Sequence, residues 1–436
     1  VDWTHLLSSR RTGQIQTPTE SSRSAFEQDY DRVIFSHPFR RLQDKTQVHP
    51  LPEDDFVHTR LTHSLEVSSV GRSLGKRVGE VVLQRHPELS LDYSLFDFGA
   101  VVAAASLAHD VGNPPFGHAG EDALSDFFLK RPGLRGDLTD TQWNDLTSFE
   151  GNAQGFRLLN QAEFGLRLTY ATLGAFTKYP CPSHFPERSP ARKSQKKFGF
   201  FDSERETFSE VAAALGLTPA GPQAWNRHPL AFLVEAADDI CYSIIDLEDG
   251  CNLGLLSLDE TIGLLSPILG DKLNPEKLRR EESRHRKLGT LRALTIGQLI
   301  DDCTRVFLDH EQEIFEGKFD TALTDQGRYR DALREISRQS VERIYRARHV
   351  VEIEAAGHEV LPGLLEEFVR AAEAFATGEK SRKYQNLALL LPSEIRLMCR
   401  QNPDIYTRYR LVIDFVSGLT DKHALNLYRK IKGMSI

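Results

Sequence analysis

A chain of 436 residues with 40% hydrophobic and 27% charged residues is too apolar to stay disordered and too mixed in composition for a fibre. Its net charge of −8 argues against a protein that coats nucleic acid by charge alone, while leaving room for a local basic site. Five cysteines without a CxxC pair suit a reducing compartment rather than a disulfide scaffold, no apolar run approaches the roughly 20 residues of a membrane span, and the first residues lack a signal-peptide pattern, so a cytoplasmic protein is expected.

In chain order, residues 1–24 are polar, with Arg10-Arg11 and a Thr-Pro-Thr-Glu turn, and suggest a mobile N-terminal arm. Helical spacing then dominates. Leu61, Leu65, Val67, Val70, Leu74, Val78 and Val81 mark a helix over about 60–84. An alanine-rich helix follows over 96–108 and must stop at Gly112-Asn113-Pro114-Pro115, because two prolines cannot continue it. A new helix is predicted to start near His118. Residues 131–145 have loop character, 150–176 are helical, and 178–199, rich in Pro, Ser and basic residues, suggest a long surface loop. Helices are expected over 203–215 and 230–249, with a break at 219–229, then over about 258–266, 286–316, 326–357, 362–376 and 404–431. The predicted class is all-α, and a short hairpin around residues 47–57 is the one β element the pattern admits. The division expected is an arm (1–24), a core (25–260) and a C-terminal helical region (261–436).

Three helical segments carry His or Asp where hydrocarbon would be expected. His63 shares a face with Val67 and Val70, His109-Asp110 ends the alanine-rich helix, and Asp238-Asp239 lies in Val234-Glu-Ala-Ala-Asp-Asp-Ile. Burying such groups unpaired costs about several kcal/mol each, and a divalent metal removes that cost by taking imidazoles and carboxylates as ligands. A lone inward His is more often a satisfied core histidine, and a His-Asp dipeptide arises easily by chance in a chain with 15 His. The case rests on their combination.

The surrounding segments carry a resemblance. FRRLQDKTQV (39–48), TRLTHSLEV (59–67), LAHDVGNPPFGH (107–118), EAADDICY (235–242) and IDFVSGLTD (413–421) are similar to the bacterial deoxyguanosine triphosphate triphosphohydrolase family of the HD-domain phosphohydrolases, from about residue 10 to the C-terminus. The resemblance implies an HD-domain helical core with additional C-terminal helices. It implies one divalent transition metal, manganese first, with Mg, Co, Ni or Fe as alternatives, held by His63, His109, Asp110 and one Asp of the 238–239 pair. Asp238 is the choice, because Asp238, Tyr242 and Asp246 share a helix face while Asp239 points about 100° away.

The implied reaction is hydrolysis of a deoxynucleoside triphosphate, dGTP or other dNTPs, to deoxynucleoside and triphosphate. His118 and Glu121, three apart on a new helix, suit proton transfer, with Glu121 orienting the ring; the ordinary alternative is acidic complementation of the helix dipole. Cations for the phosphates are Arg60, one turn before His63, and by resemblance Lys178, Tyr179 and Lys197, with Lys196 the alternative to Lys197. Asn113 is taken as a further phosphate contact. By resemblance Gln47 and Asp246 bind the 3′-hydroxyl, and Tyr242 sits where a 2′-hydroxyl would clash. The resemblance also implies a homo-oligomer, often a hexamer, and single-stranded DNA or a dNTP as an effector. No GxxxxGK[ST] or GxGxxG loop is present, so phosphates fall to side chains and metal. The rival readings are an HD phosphohydrolase acting on a nucleoside monophosphate or cyclic nucleotide, and a nucleic-acid-binding regulator with a vestigial site.

Overall fold

A computed structural model describes residues 2–13, 23–47, 58–161 and 166–434. The helix Arg60–Arg85 starts where Thr59 and Thr62 cap one another, the Thr59 N–H donating to Thr62 Oγ1 at 2.9 Å. It lies against the helix Leu95–Ala108 along a seam of small residues. A Cβ on Gly75 would stand 2.6 Å from the Phe98 carbonyl oxygen, so only glycine permits this approach. The helix Pro229–Asn252 packs across both and completes a three-helix centre. Pro229 occupies its first turn, where no N–H is needed, and His228 Nδ1 accepts the Leu230 N–H at 3.1 Å. The helices Leu258–Leu269 and Arg284–Asp309 extend the same core, which closes on Ile336 and Ile344.

A second core forms between the helix Gly117–Leu129 and the helices Arg348–Thr377 and Ile405–Ser417. Phe127, Phe128, Leu361, Leu364 and Phe368 are all buried there. Packing therefore does not divide at residue 261. Residues 261–344 belong to the first core, whereas the chain beyond 348 packs against residues 116–149.

Several expectations are corrected. Residues 2–13 are not an arm. Trp3, Leu6 and Leu7 are buried, and the enclosed Arg11 pairs with Asp29 and donates to the Ala25 carbonyl at 2.8 Å. The 178–199 segment is not a surface loop, because Cys181, Phe185 and Phe198 pack with Phe201. Residues 140–147 are helical, capped by Thr139. No break separates 357 from 362: the helix carries Pro362 within it and stops at Gly378, φ +74°. A helix Ser393–Gln401, not anticipated, precedes the Ile405–Ser417 helix. The small antiparallel pair is Pro219–Gly221 with Ala224–Trp225. Of the hairpin expected at 47–57, all but Gln47 lies outside the described residues. Among the described residues, no helix is long and apolar enough to cross a membrane.

Candidate active site

The close Arg60–Arg85 and Leu95–Ala108 pair brings His63 and His109 together, their ring centroids 5.3 Å apart. Ligand atoms of His63, His109 and Asp110 all lie within 4.8 Å of one another. Asp238, from the third central helix, places Oδ1 3.2 Å from His63 Nε2 and 3.5 Å from His109 Nε2. Asp239 turns aside and accepts the Thr324 hydroxyl at 2.9 Å.

The donor set fits a divalent cation. The Ser106 carbonyl, 2.7 Å from His109 Nδ1, can only accept, so that nitrogen carries the proton. His109 Nε2 then presents a lone pair toward the Asp110 and Asp238 carboxylates, at 3.4 and 3.5 Å. Acceptor facing acceptor in a half-buried site is unfavourable unless a cation or proton stands between them. Asp110 is further held by Arg60 Nη1 at 2.8 Å and Asn113 Nδ2 at 2.5 Å. Burial raises the cost of its charge, but Arg60 and His109 outweigh this and hold its pKa below the usual carboxylate value.

These groups open into a cavity of about 640 Å³ that every candidate residue lines except Asp246. His118 lines it from the helix Gly117–Leu129, whose N-cap Phe116 (φ +64°) and first residue Gly117 (φ +57°) are both left-handed. Burial, then the Lys197 and Arg60 charges, lower the His118 pKa. Among the described residues no hydrogen bond joins that ring to Glu121. Its Oε1 accepts the Gly151 N–H at 2.7 Å, and Oε2 lies 3.6 Å from Lys197 Nζ. Burial and the neighbouring Glu150 charge push the Glu121 pKa up to about 7.

Basic residues gather in the same cavity. Lys178 lies 3.2 Å and Lys193 3.4 Å from the buried Glu235, which also accepts from Arg227 Nη1 at 2.8 Å. Burial opposes the Lys178 charge, yet Glu235 raises its pKa well above the ordinary lysine value. Tyr179 is buried beneath the Lys178 ammonium. Lys197 lies 3.1 Å from Glu150, whereas Lys196 is exposed. Asn113 has its amide tied to Asp110 and its carbonyl to Lys45, at 2.6 Å, so it supports a carboxylate as well as facing the cavity.

At the other end, Gln47 Oε1 is buried and has no hydrogen-bond partner among the described residues. Tyr242 stands beside Tyr345, with ring centroids 5.5 Å apart, and Tyr345 donates to Asp246 Oδ2 at 2.7 Å. Burial pushes the Asp246 pKa up to about 8. Glu150, Lys193, Glu235 and Tyr345 were not singled out from the sequence. Glu235 stood one helical turn before Asp238-Asp239 and could have been noticed there, but Tyr345 lies about a hundred positions from its partner Asp246 and left no local trace.

Known proteins place this arrangement. An HD domain model matches residues 60–140 and a phosphohydrolase-associated domain model matches residues 324–430. A deoxyguanosinetriphosphate triphosphohydrolase-like protein of Synechocystis is 42% identical across 100% of both chains. One of Listeria innocua is 34% identical, again across 100% of both. A deoxyguanosinetriphosphate triphosphohydrolase of Klebsiella pneumoniae is 32% identical over 99% of each chain. Similarity of this extent runs through both packed cores as well as the cavity between them, and the chain belongs to the deoxyguanosine triphosphate triphosphohydrolase family of HD-domain phosphohydrolases.

Proposed function

We propose that the protein is a metal-dependent hydrolase that converts dGTP, and other dNTPs, to deoxynucleoside and inorganic triphosphate. The observation that carries this reading is the convergence of four ligand side chains on a cavity that also holds Arg60, Lys178, Lys193 and Lys197. A substrate with about four negative charges suits that many cations, and a monophosphate or cyclic nucleotide does not require them. His63, His109, Asp110 and Asp238 would hold one divalent ion, manganese in this reading, which supplies Lewis acidity at a phosphate oxygen and lowers the pKa of water.

The chain's own residues do the rest. Lys178, Lys193 and Lys197, with Tyr179, bind the phosphates. Their carboxylate partners, Glu235 and Glu150, hold the ammonium groups in place before substrate arrives. His118 is kept neutral by burial and by Lys197 and Arg60. A bound polyanion offsets those cations, raises the basicity of His118 and prepares it to protonate the leaving 5′-oxygen. Gln47 and Asp246 receive the 3′-hydroxyl, and Tyr242 crowds the position of a 2′-hydroxyl.

Buried, free cysteines suit a reducing cytoplasm. The reading also includes a homo-oligomer, a hexamer by family resemblance, and an effect of single-stranded DNA or a second dNTP on the rate. Sizing and rate measurements with each effector test these.

The test of the main reading is product analysis with manganese and each dNTP, alongside titration of manganese into the His109→Ala protein. Deoxynucleoside plus triphosphate from the parent, with loss of both metal binding and turnover in the variant, is expected. Release of orthophosphate or of a deoxynucleoside monophosphate, or a fully active His109→Ala protein, contradicts it.

A further inference from the structure

Two buried groups outside the metal and phosphate sites tie both sides of the cavity to the C-terminal helices. Asp421, 1% exposed, opens the helix Asp421–Ile431. Such a residue ordinarily serves its own helix, but here Thr420 caps that helix by accepting the His423 N–H at 3.3 Å. Both Asp421 oxygens point elsewhere. Oδ2 accepts from the Thr46 N–H at 3.0 Å and from the Thr46 hydroxyl, and Oδ1 accepts from the Phe116 N–H at 3.0 Å. Lys45, 4% exposed, donates from Nζ to the Asn113 carbonyl at 2.6 Å and the Ser417 carbonyl at 2.9 Å. The 45–46 stretch, the 113–116 turn and the 417–421 turn are thus bound together twice.

What the bonds hold is specific. Thr46 directly precedes Gln47, which lines the cavity and whose buried Oε1 has no hydrogen-bond partner among the described residues. Phe116 stands two residues before His118 in a left-handed conformation that a bulky residue keeps only when its surroundings enforce it. A slip of either segment moves a substrate-facing side chain.

We propose that Asp421 and Lys45 are positioning residues that set Gln47 and His118 at the spacing the sugar and the leaving oxygen require, so that the C-terminal helices govern discrimination at the 3′-carbon. This rests on the roles given above to Gln47 and His118.

The test compares full-length parent, Asp421→Ala, Thr46→Val and Gln47→Ala proteins. For each, kcat/KM is measured on a dNTP and on its 2′,3′-dideoxy counterpart, together with manganese affinity and melting temperature. The preference for the 3′-hydroxyl is expected to fall about tenfold in Asp421→Ala, and in the same direction but less in Thr46→Val, with manganese affinity retained. Asp421→Ala added to Gln47→Ala should lower that preference no further. A folded Asp421→Ala protein with the parent's preference overturns the proposal, even if it melts earlier, because a merely structural role would do that. Should Asp421→Ala fail to fold, Thr46→Val decides, since it removes one hydroxyl and keeps the shape; unchanged preference there overturns the proposal. A parent that forms triphosphate but shows no 3′-hydroxyl preference overturns it too. A parent that forms no triphosphate brings down the underlying reaction itself, a distinguishable result.

Discussion

His118 and Asp246 show how environment assigns roles to titratable groups. His118 has its pKa lowered by burial and then by the Lys197 and Arg60 charges, which is the basis for the proton-transfer role proposed for it. His118→Ala is expected to bind manganese as the parent does and to lose about 10²–10⁴ of kcat; loss of the metal would instead make it a ligand. Asp246, ordinarily near 3.8, is pushed by burial up to about 8. Between those values the folded state keeps a proton that the unfolded state has released, so stability falls as pH climbs from about 4 to about 8. Denaturant melts of metal-free Asp246→Asn should lack that slope, and an unchanged slope would place its origin elsewhere. Some of these positions were legible in the sequence. A His-Asp pair ending an apolar helix and an Asp four residues before a Tyr declare their helix faces. Glu150 beside Lys197 was not legible, because nothing in 178–199 tells which distant carboxylate a lysine will meet.

At the scale of elements, the site depends on how closely two helices approach. Gly71, Gly75 and Gly79 form a ridge on the helix Arg60–Arg85, and Phe98 or Ser106 of the neighbouring helix fills the space where side chains would stand. Gly75→Ala would drive a methyl against the Phe98 carbonyl, a backbone atom that cannot turn away. The expected cost is about 1–3 kcal/mol in chemical denaturation, with weaker manganese binding as His63 and His109 part. A Gly75→Ala protein as stable as the parent would show that the seam tolerates widening. Helix periods made these elements readable, since Val67, Val70, Leu74 and Val78 repeat faithfully. The 178–199 segment misled because Pro, Ser and Lys dominate its composition, although Cys181, Phe185 and Phe198 decide where it packs. The gap expected between 357 and 362 does not form, because Val360, Leu361, Leu364 and Leu365 bury enough surface to carry the helix through Pro362.

Over the whole molecule, two cores meet at the cavity. The first holds the ligand helices, and the second holds the helix that carries His118 against the C-terminal third. No boundary near residue 261 was to be found, because the chain returns from 348 onward to residues 116–149, a long-range contact that local patterns do not encode. The apolar start of the chain and the buried Arg11–Asp29 pair were hidden for the same reason. In the proposed reaction water attacks the α-phosphorus of a dNTP while the 5′-oxygen departs. Turnover in ¹⁸O-water, with both products weighed by mass spectrometry, tests it most directly. One heavy oxygen in the triphosphate and none in the deoxynucleoside is the expected result. Heavy oxygen in the deoxynucleoside, or in a deoxynucleoside monophosphate, pyrophosphate or orthophosphate product, would contradict it.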